Sequence, residues 1–461
     1  MLIKRHEINY LINWTAQRQR KPLILRGARQ VGKSTAVRQL AIAAALDLIE
    51  LNFERNPEYR EAFKSPEPAK ILPILELLTG QAVRAGKSLL FLDEIQAAPE
   101  ALAALRYFYE EMPELHVIAA GSLLEFTLAA AKFSMPVGRV EYFYLGPLQF
   151  EDFLEAMGEP AMAAALRTTT YAQLFKGSVQ VQAVHEKYLA LLRQFWVVGG
   201  LPEAVANFAE QRNFSAVGRV HQSVVATYRD DFSKYSHGTL RERVQLVFDK
   251  LPHMVGRKFK YVQVSSDHRA GELATALQQL CMARVAFKVQ HTSANGVPLA
   301  AEVGERYFKA LYLDVGLMCS ALKLSLLDLT REDLTLVNAG VMAEQFIGQH
   351  LLYSGAWYEA PALYYWLREA RGAASEVDYV ISPGQRVVPI EVKKGKTGTL
   401  KSMQRFLQEK NCTLGLRFNS DLPTLLNHAA RPDADAPLGY RLLSLPHYWV
   451  GQTRRLLGEA S

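Results

Sequence analysis

The sequence predicts an α/β protein whose first third is a parallel sheet covered by helices. Three observations carry this. Short apolar runs alternate with helix-length patterns through the first ~150 residues. One run, SLLFLDEI (88–95), is apolar without a break until it ends in acids, as a strand buried on both faces requires. Strand, helix, strand in this rhythm gives βαβ units, whose strands run parallel.

The elements follow in order. PLILRG (22–27) is the first strand, and KSTAVRQLAIAAALD (33–47) is Ala/Leu-rich and long enough for a helix. LIELNF (48–53), SLLFLDEI and LHVIAAG (115–121) are further strands. Residues 156–235 read as a mostly helical connector, broken at Gly199-Gly200 with Pro202 just after. Residues 236–330 open with the helical pattern RVQLVFDKLPHMV. A second helix, SSDHRAGELATALQQLCMARV, puts Leu273, Leu277 and Leu280 on one face, with Ser266 as its expected cap. VAFKVQH then alternates with period two, and Asn295-Gly296 sits in a loop before a second strand, RYFKALYLDVG. Helices followed by two strands resemble a winged helix-turn-helix. Residues 331–461 begin with helix GVMAEQFIGQHLLY and continue as strands ALYYWLR, EVDYVI and RVVPIEVKK, with Ser382-Pro383-Gly384-Gln385 turning between the last two. The expected units are 1–155, 156–235, 236–330 and 331–461.

Composition narrows the classes. The 461 residues are 49% hydrophobic and 21% charged, which excludes wholesale disorder and fibrous structure. An excess of 53 Lys and Arg over 46 Asp and Glu leaves +7, which permits a nucleic-acid partner. Cys281, Cys319 and Cys412 are odd in number and far apart. They exclude a disulfide framework and a four-cysteine zinc site. No leader pattern is read at the start, and no uncharged stretch reaches the ~18 apolar residues of a spanning helix. A cytoplasmic protein with no membrane partner is expected.

Gly27-Ala28-Arg29-Gln30-Val31-Gly32-Lys33-Ser34 fits G-x-x-x-x-G-K-[ST], between an apolar strand and a helix. Such a loop turns successive backbone amides toward phosphate oxygens, and the helix that follows adds its positive dipole end. Lys33 is expected at the β- and γ-phosphates of ATP, Ser34 on Mg²⁺, and Thr35 near the α-phosphate. Asp93 is expected to hold Mg²⁺ through water. Glu94, its neighbour, is the expected general base for an attacking water. Ser122, after VIAAG, touches either the γ-phosphate or that water, or is a simple turn serine. Arg139 is the candidate charge-stabilising arginine, reaching a neighbouring subunit of a homo-oligomer or ring; an ordinary surface ion pair is the alternative.

GARQVGKST, FLDEIQ, the AGS turn, VGR…YLGPLQFEDFL and VVGGLPEAV together resemble the AAA-type ATPases that carry a DUF4143 C-terminal domain. The resemblance spans nearly the whole chain. It implies a P-loop ATPase core, a helical lid, a winged-helix region and a restriction-endonuclease-like end.

At that end Asp378 lies in EVDYVI and Glu391 and Lys393 in VVPIEVKK. Period two puts Glu391 and Lys393 on one face, and hairpin-like pairing brings Asp378 beside Glu391. With Glu344 on the preceding helix and Gln404 on the following one, the pattern resembles the PD-(D/E)xK nucleases. Its acids would hold Mg²⁺ for phosphodiester cleavage. Val377 stands where the name-giving proline is expected, so an inactive fold kept for binding is the alternative. Lys393, Lys394, Lys396, Lys401 and Arg405 form one basic group; Arg241, Arg243, Arg257, Lys258 and Lys260 form another. ELATALQQLCMARV is poor in base-reading residues, so DNA is expected to be read by shape or backbone. His185-Glu186 lacks a second His four residues on and reads as a surface pair. Tyr353, Trp357, Tyr364, Tyr365 and Trp366 read as core. The leading expectation is an ATP-driven DNA remodeller. The alternatives are an ATP-gated nuclease and an oligomerising nucleotide switch with an inactive nuclease-like scaffold.

Overall fold

The structure, a computed structural model, describes residues 3–130, 138–324, 335–370, 373–393, 400–429 and 439–460. Five parallel strands form the first sheet: β1 (Leu23–Arg26), β2 (Asp47–Asn52), β3 (Ser88–Asp93), β4 (His116–Ala120) and β5 (Glu141–Tyr144), in the order β2-β3-β4-β1-β5. β3 and β4 are buried along their whole length. Alternation divides their side chains between two apolar layers. Leu89, Phe91 and Ile118 pack on one side with Leu23 and Leu25; Leu90, Leu92 and Val117 pack on the other with Ile49 and Leu51. The order places β4 between β1 and β3. The turn after β4 therefore stands between the loop after β1 and the acids after β3.

Residues 150–235 are helical. The helix Gln182–Val198 stops at Gly199, whose φ is +73°. A Cβ there would lie 2.0 Å from Asp314 Oδ1, so only glycine fits. Asp314 is fully buried. One oxygen accepts from the amides of Gly316 (2.9 Å) and Leu317 (3.1 Å), capping the helix Val315–Ala321. The other accepts from the Gly200 amide (2.7 Å). Pro202 then starts the helix Pro202–Gln211. His185 is not at the surface. Its ring bridges Tyr448 Oη (2.9 Å) and the Ser420 carbonyl (3.0 Å), tying this helical region to the C-terminal part.

The second sheet has eight strands: β6 (Ala286–Thr292), β7 (Val303–Tyr312), β8 (Leu363–Ala370), β9 (Ala373–Ile381), β10 (Val388–Val392), β11 (Leu414–Asn419), β12 (Thr424–His428) and β13 (Tyr440–Pro446). The order is β12-β13-β11-β10-β9-β8-β6-β7. β6 and β7 form the expected antiparallel pair, but β6 also pairs in parallel with β8. A lone two-stranded hairpin is marginal in water, and here it is the end of a larger sheet. The expected boundary at residue 330 is thus crossed by one continuous sheet. The helix before β6 runs Ala270–Met282 and not from Ser266, because Glu272 accepts from the Arg269 amide (3.2 Å) and caps it. Tyr353, Tyr365 and Trp366 are buried, as their spacing predicts, and all three cysteines are free. Among the described residues no helix is long and apolar enough to cross a membrane.

Candidate functional site

The loop after β1 wraps the mouth of a cleft of about 540 Å³. Gly32, with φ +89°, and Gln30, with φ +67°, supply the left-handed turns that curl it, and the helix Lys33–Ala43 starts at its end. The Lys33 ammonium folds over the loop and donates to the carbonyls of Gly27 (2.9 Å) and Ala28 (2.8 Å). Burial drives its pKa down to about 8, with the charges of Glu94 and Asp93 opposing the drop. Arg29, Gln30, Ser34, Thr35, Asp93 and Glu94 line the same cleft. Gly27, Ala28 and Val31 form the buried base of the loop.

Asp93 ends β3. Its carboxylate accepts from the Ser34 hydroxyl (3.1 and 3.3 Å) and from Asn52 Nδ2 (3.2 Å). Burial raises its pKa, and the neighbouring Glu94 charge adds to the rise. Carboxylate and hydroxyl oxygens in contact at a phosphate loop are the hard donor set that Mg²⁺ takes, so the residues fit that metal. Glu94 takes a left-handed φ of +52°, which swings it off the strand toward β4. There its Oε2 accepts from Gln96 Nε2 (2.7 Å) and from the Ser122 amide and hydroxyl (both 3.3 Å). Burial alone would raise this carboxyl. The hydrogen bonds from Gln96 and Ser122, with Lys33 nearby, hold it below the usual range. Lys33, Ser34, Asp93, Glu94 and Ser122 are therefore brought together.

Arg139 is not. It lies outside the cleft in a partly exposed ion pair with Glu110 (2.7 Å), the alternative the sequence left open. The arginine that reaches the acids is Arg29. Its Nε lies 3.4 Å from the Ser122 hydroxyl, and its guanidinium pairs with Asp231 (3.1 Å). Tyr228 donates to the Arg29 carbonyl (2.7 Å) from the same helix, Phe214–Tyr235. Nothing in the sequence tied residues 228 and 231 to the loop across 200 positions. Arg5 was likewise missed. Buried, it donates to the carbonyls of Val31 and Gly146 (2.5 and 2.7 Å) and pairs with Glu7 (3.0 Å). Beside it, His6, Glu7 and Asp152 have donor atoms close enough to hold a metal. They form an ion-pair network instead. Burial would depress the His6 pKa, but Glu7 and Asp152 lift it to about 9, and a protonated imidazole is no ligand.

At the second sheet, the register that pairs Ile390 with Tyr379 carries Glu391 opposite Asp378. Asp378 accepts from the Val392 amide (2.8 Å), and Lys393 donates to Glu391 (2.5 Å). The pairing expected from sequence is realised, but the three-acid metal set is not. Among the described residues, ligand atoms of Glu344, Asp378 and Glu391 are not all within 4.8 Å of one another. The ammonium of Lys309, from β7, stands 2.9 Å from Glu344 and 3.5 Å from Asp378. No local pattern warns of it, since a lysine in a period-two strand reads as solvent-facing. Gln404 Nε2 donates to Tyr440 Oη (3.0 Å). Lys394 and Lys396 lie outside the described residues.

Residues 19–154 match the family model of an AAA domain, 189–328 a domain of unknown function (DUF8612) and 339–422 a domain of unknown function (DUF4143). No curated protein matches. Among solved structures, a Walker-type ATPase of Pyrococcus abyssi is 13% identical with a TM-score of 0.43, the match covering 70% of this chain and 96% of that one. The ORC2 protein of Aeropyrum pernix is 12% identical with a TM-score of 0.34, covering 70% and 98%. The loop, its two acids and the matched models identify the chain as an AAA-type P-loop ATPase with a C-terminal DUF4143 domain.

Proposed function

We propose that this ATPase works on DNA, gripping it by shape and backbone and using hydrolysis to change its form. The observation that carries the chemical half is the Lys33–Asp93–Glu94–Ser122 grouping around one cleft. Backbone amides of residues 28–34 and the Lys33 ammonium bind the β- and γ-phosphates of ATP. Ser34, and Asp93 through water, would hold Mg²⁺, which would offset phosphate charge. Glu94, ionised at neutral pH, takes the proton of the attacking water, and Ser122 orients that water. Arg29 is the positive group placed to meet charge developing on the γ-phosphate, in the same chain. A role for Arg139 in a neighbouring subunit of a ring requires it to release Glu110.

The DNA half rests on charge. The chain carries +7, and Arg241, Arg257 and Lys260 are exposed on the segment that resembles a winged helix. Lysines and arginines that neutralise phosphates make binding fall steeply with salt. The work is expected in the cytoplasm. The test is ATP turnover of the full chain with single-stranded, duplex and four-way DNA across a salt series. Stimulation by one form that fades with salt supports the reading. Turnover indifferent to every form, with ATP-dependent assembly in its place, favours an oligomerising switch.

A further inference from the structure

We infer that Lys309 is an internal cation standing where a nuclease-like site would bind metal, so that Glu344 serves as its counter-ion and not as a metal ligand. Lys309 belongs to β7, the edge strand of the second sheet, yet it is 2% exposed. Its side chain reaches acids of β9. Its ammonium meets Glu376 at 2.5 Å, Glu344 at 2.9 Å and Asp378 at 3.5 Å. These carboxylates come from three places: the helix Thr335–Leu352 and two positions of β9 on the same face.

An ammonium has three protons to donate and no acceptor, and three carboxylates surround this one. Taking carboxylates out of water costs several kcal/mol each unless a cation is close. A divalent metal would meet that need, and so does a lysine. Both cannot occupy one gap, because like charges at this range repel strongly where water is scarce. The lysine has the advantage of being covalently present at every metal concentration. Its charge is secure as well: although burial opposes it, Glu344, Asp378 and Glu376 hold its pKa well above the usual lysine value. A second lysine, Lys393, covers one oxygen of Glu391, leaving the other, Oε2, buried and without a hydrogen bond. Any affinity for metal is thus confined to the Asp378–Glu391 edge, away from Glu344.

The arrangement also explains why β6 and β7 belong to this sheet. The segment that resembles a wing supplies the charge that the C-terminal acids need. Neither part is electrostatically complete without the other.

The experiment is a Mn²⁺ titration of the full chain without nucleotide, followed by electron paramagnetic resonance, with thermal melting with Mn²⁺ and with EDTA in parallel. Lys309→Ala leaves Glu344, Glu376 and Asp378 facing one another. It is expected to bind Mn²⁺ about tenfold tighter than the parent or more, since one unit of nearby charge is removed. Its melting midpoint should rise with Mn²⁺ and fall back with EDTA. Lys309→Arg should behave as the parent. Mn²⁺ binding by Lys309→Ala no tighter than the parent's overturns the inference. If Lys309→Ala does not fold, Glu344→Gln in the parent decides the matter. Unchanged Mn²⁺ binding supports the counter-ion role, and weakening by about tenfold makes Glu344 a ligand.

Discussion

Asp93 and Glu94 leave the end of β3 facing a cleft of about 540 Å³, with Lys33 engaged only by loop carbonyls. Asp378 and Glu391 leave β9 and β10 facing side chains of their own molecule, with Lys309 and Lys393 already on the acids. Both regions join strand-end carboxylates to lysines. The difference is where each lysine spends its charge. In the cleft the ammonium is held by neutral acceptors, which an anionic phosphate can outbid. In the second sheet it is held by carboxylates, which exclude an added cation.

The largest effect tests the first half of this contrast. Glu94→Gln is expected to lower ATP turnover by about 10²–10⁴-fold while nucleotide stays bound, because shape is kept and the base is lost. Lys33→Ala should lose binding too, and Asp378→Asn should leave turnover within about twofold. Comparable losses from Asp378→Asn would mean that the two regions are not separate. A smaller effect separates the arginines. Arg29→Ala should cost roughly a hundredfold in kcat with a modest change in KM, against less than about twofold for Arg139→Ala. If Arg139→Ala is the more damaging, the charge-stabilising group comes from a neighbouring subunit.

The smallest effect adds a third cluster, whose cation titrates. His6 has its pKa raised to about 9 beside Glu7 and Asp152. Its contribution to stability is therefore complete below pH ~6.5, the unfolded value, and is lost as pH climbs through about 9. The unfolding free energy from urea titrations should fall across that window by about 1–2 kcal/mol, and His6→Gln should flatten the slope. The Lys309 ammonium should add no such loss there, because it titrates above the window. Equal slopes in the parent and His6→Gln would remove His6 from the account.

The ATPase core was legible because its signals are local. A strand, a loop and a helix between Leu23 and Ala43 specify the phosphate site, and continuous apolar runs specify buried parallel strands. The pairing of Asp378 with Glu391 was legible for the same reason, a short turn joining β9 to β10. What escaped was contact between distant segments. Arg29 with Asp231, Arg5 with the carbonyls of Val31 and Gly146, and Lys309 with Glu344 are partners that no spacing encodes. His185 read as surface because its two partners, Tyr448 and Ser420, lie over 230 residues away. Arg139 was the reverse case: its neighbourhood resembled a functional motif, while the structure gives it an ordinary partner, Glu110, on an adjacent helix.

The continuous sheet from β6 to β13 has a practical corollary for anyone dividing this chain. Severing it near residue 330 would separate β8 from β6 and open a row of unsatisfied amides and carbonyls, an invitation to aggregate. The severed C-terminal piece would also carry Glu344, Glu376 and Asp378 with their lysine left behind on the other fragment. Such a fragment would misreport its own chemistry, scavenging metal from the buffer in a way the intact chain does not. One sheet runs across residue 330, the point where the sequence changes rhythm.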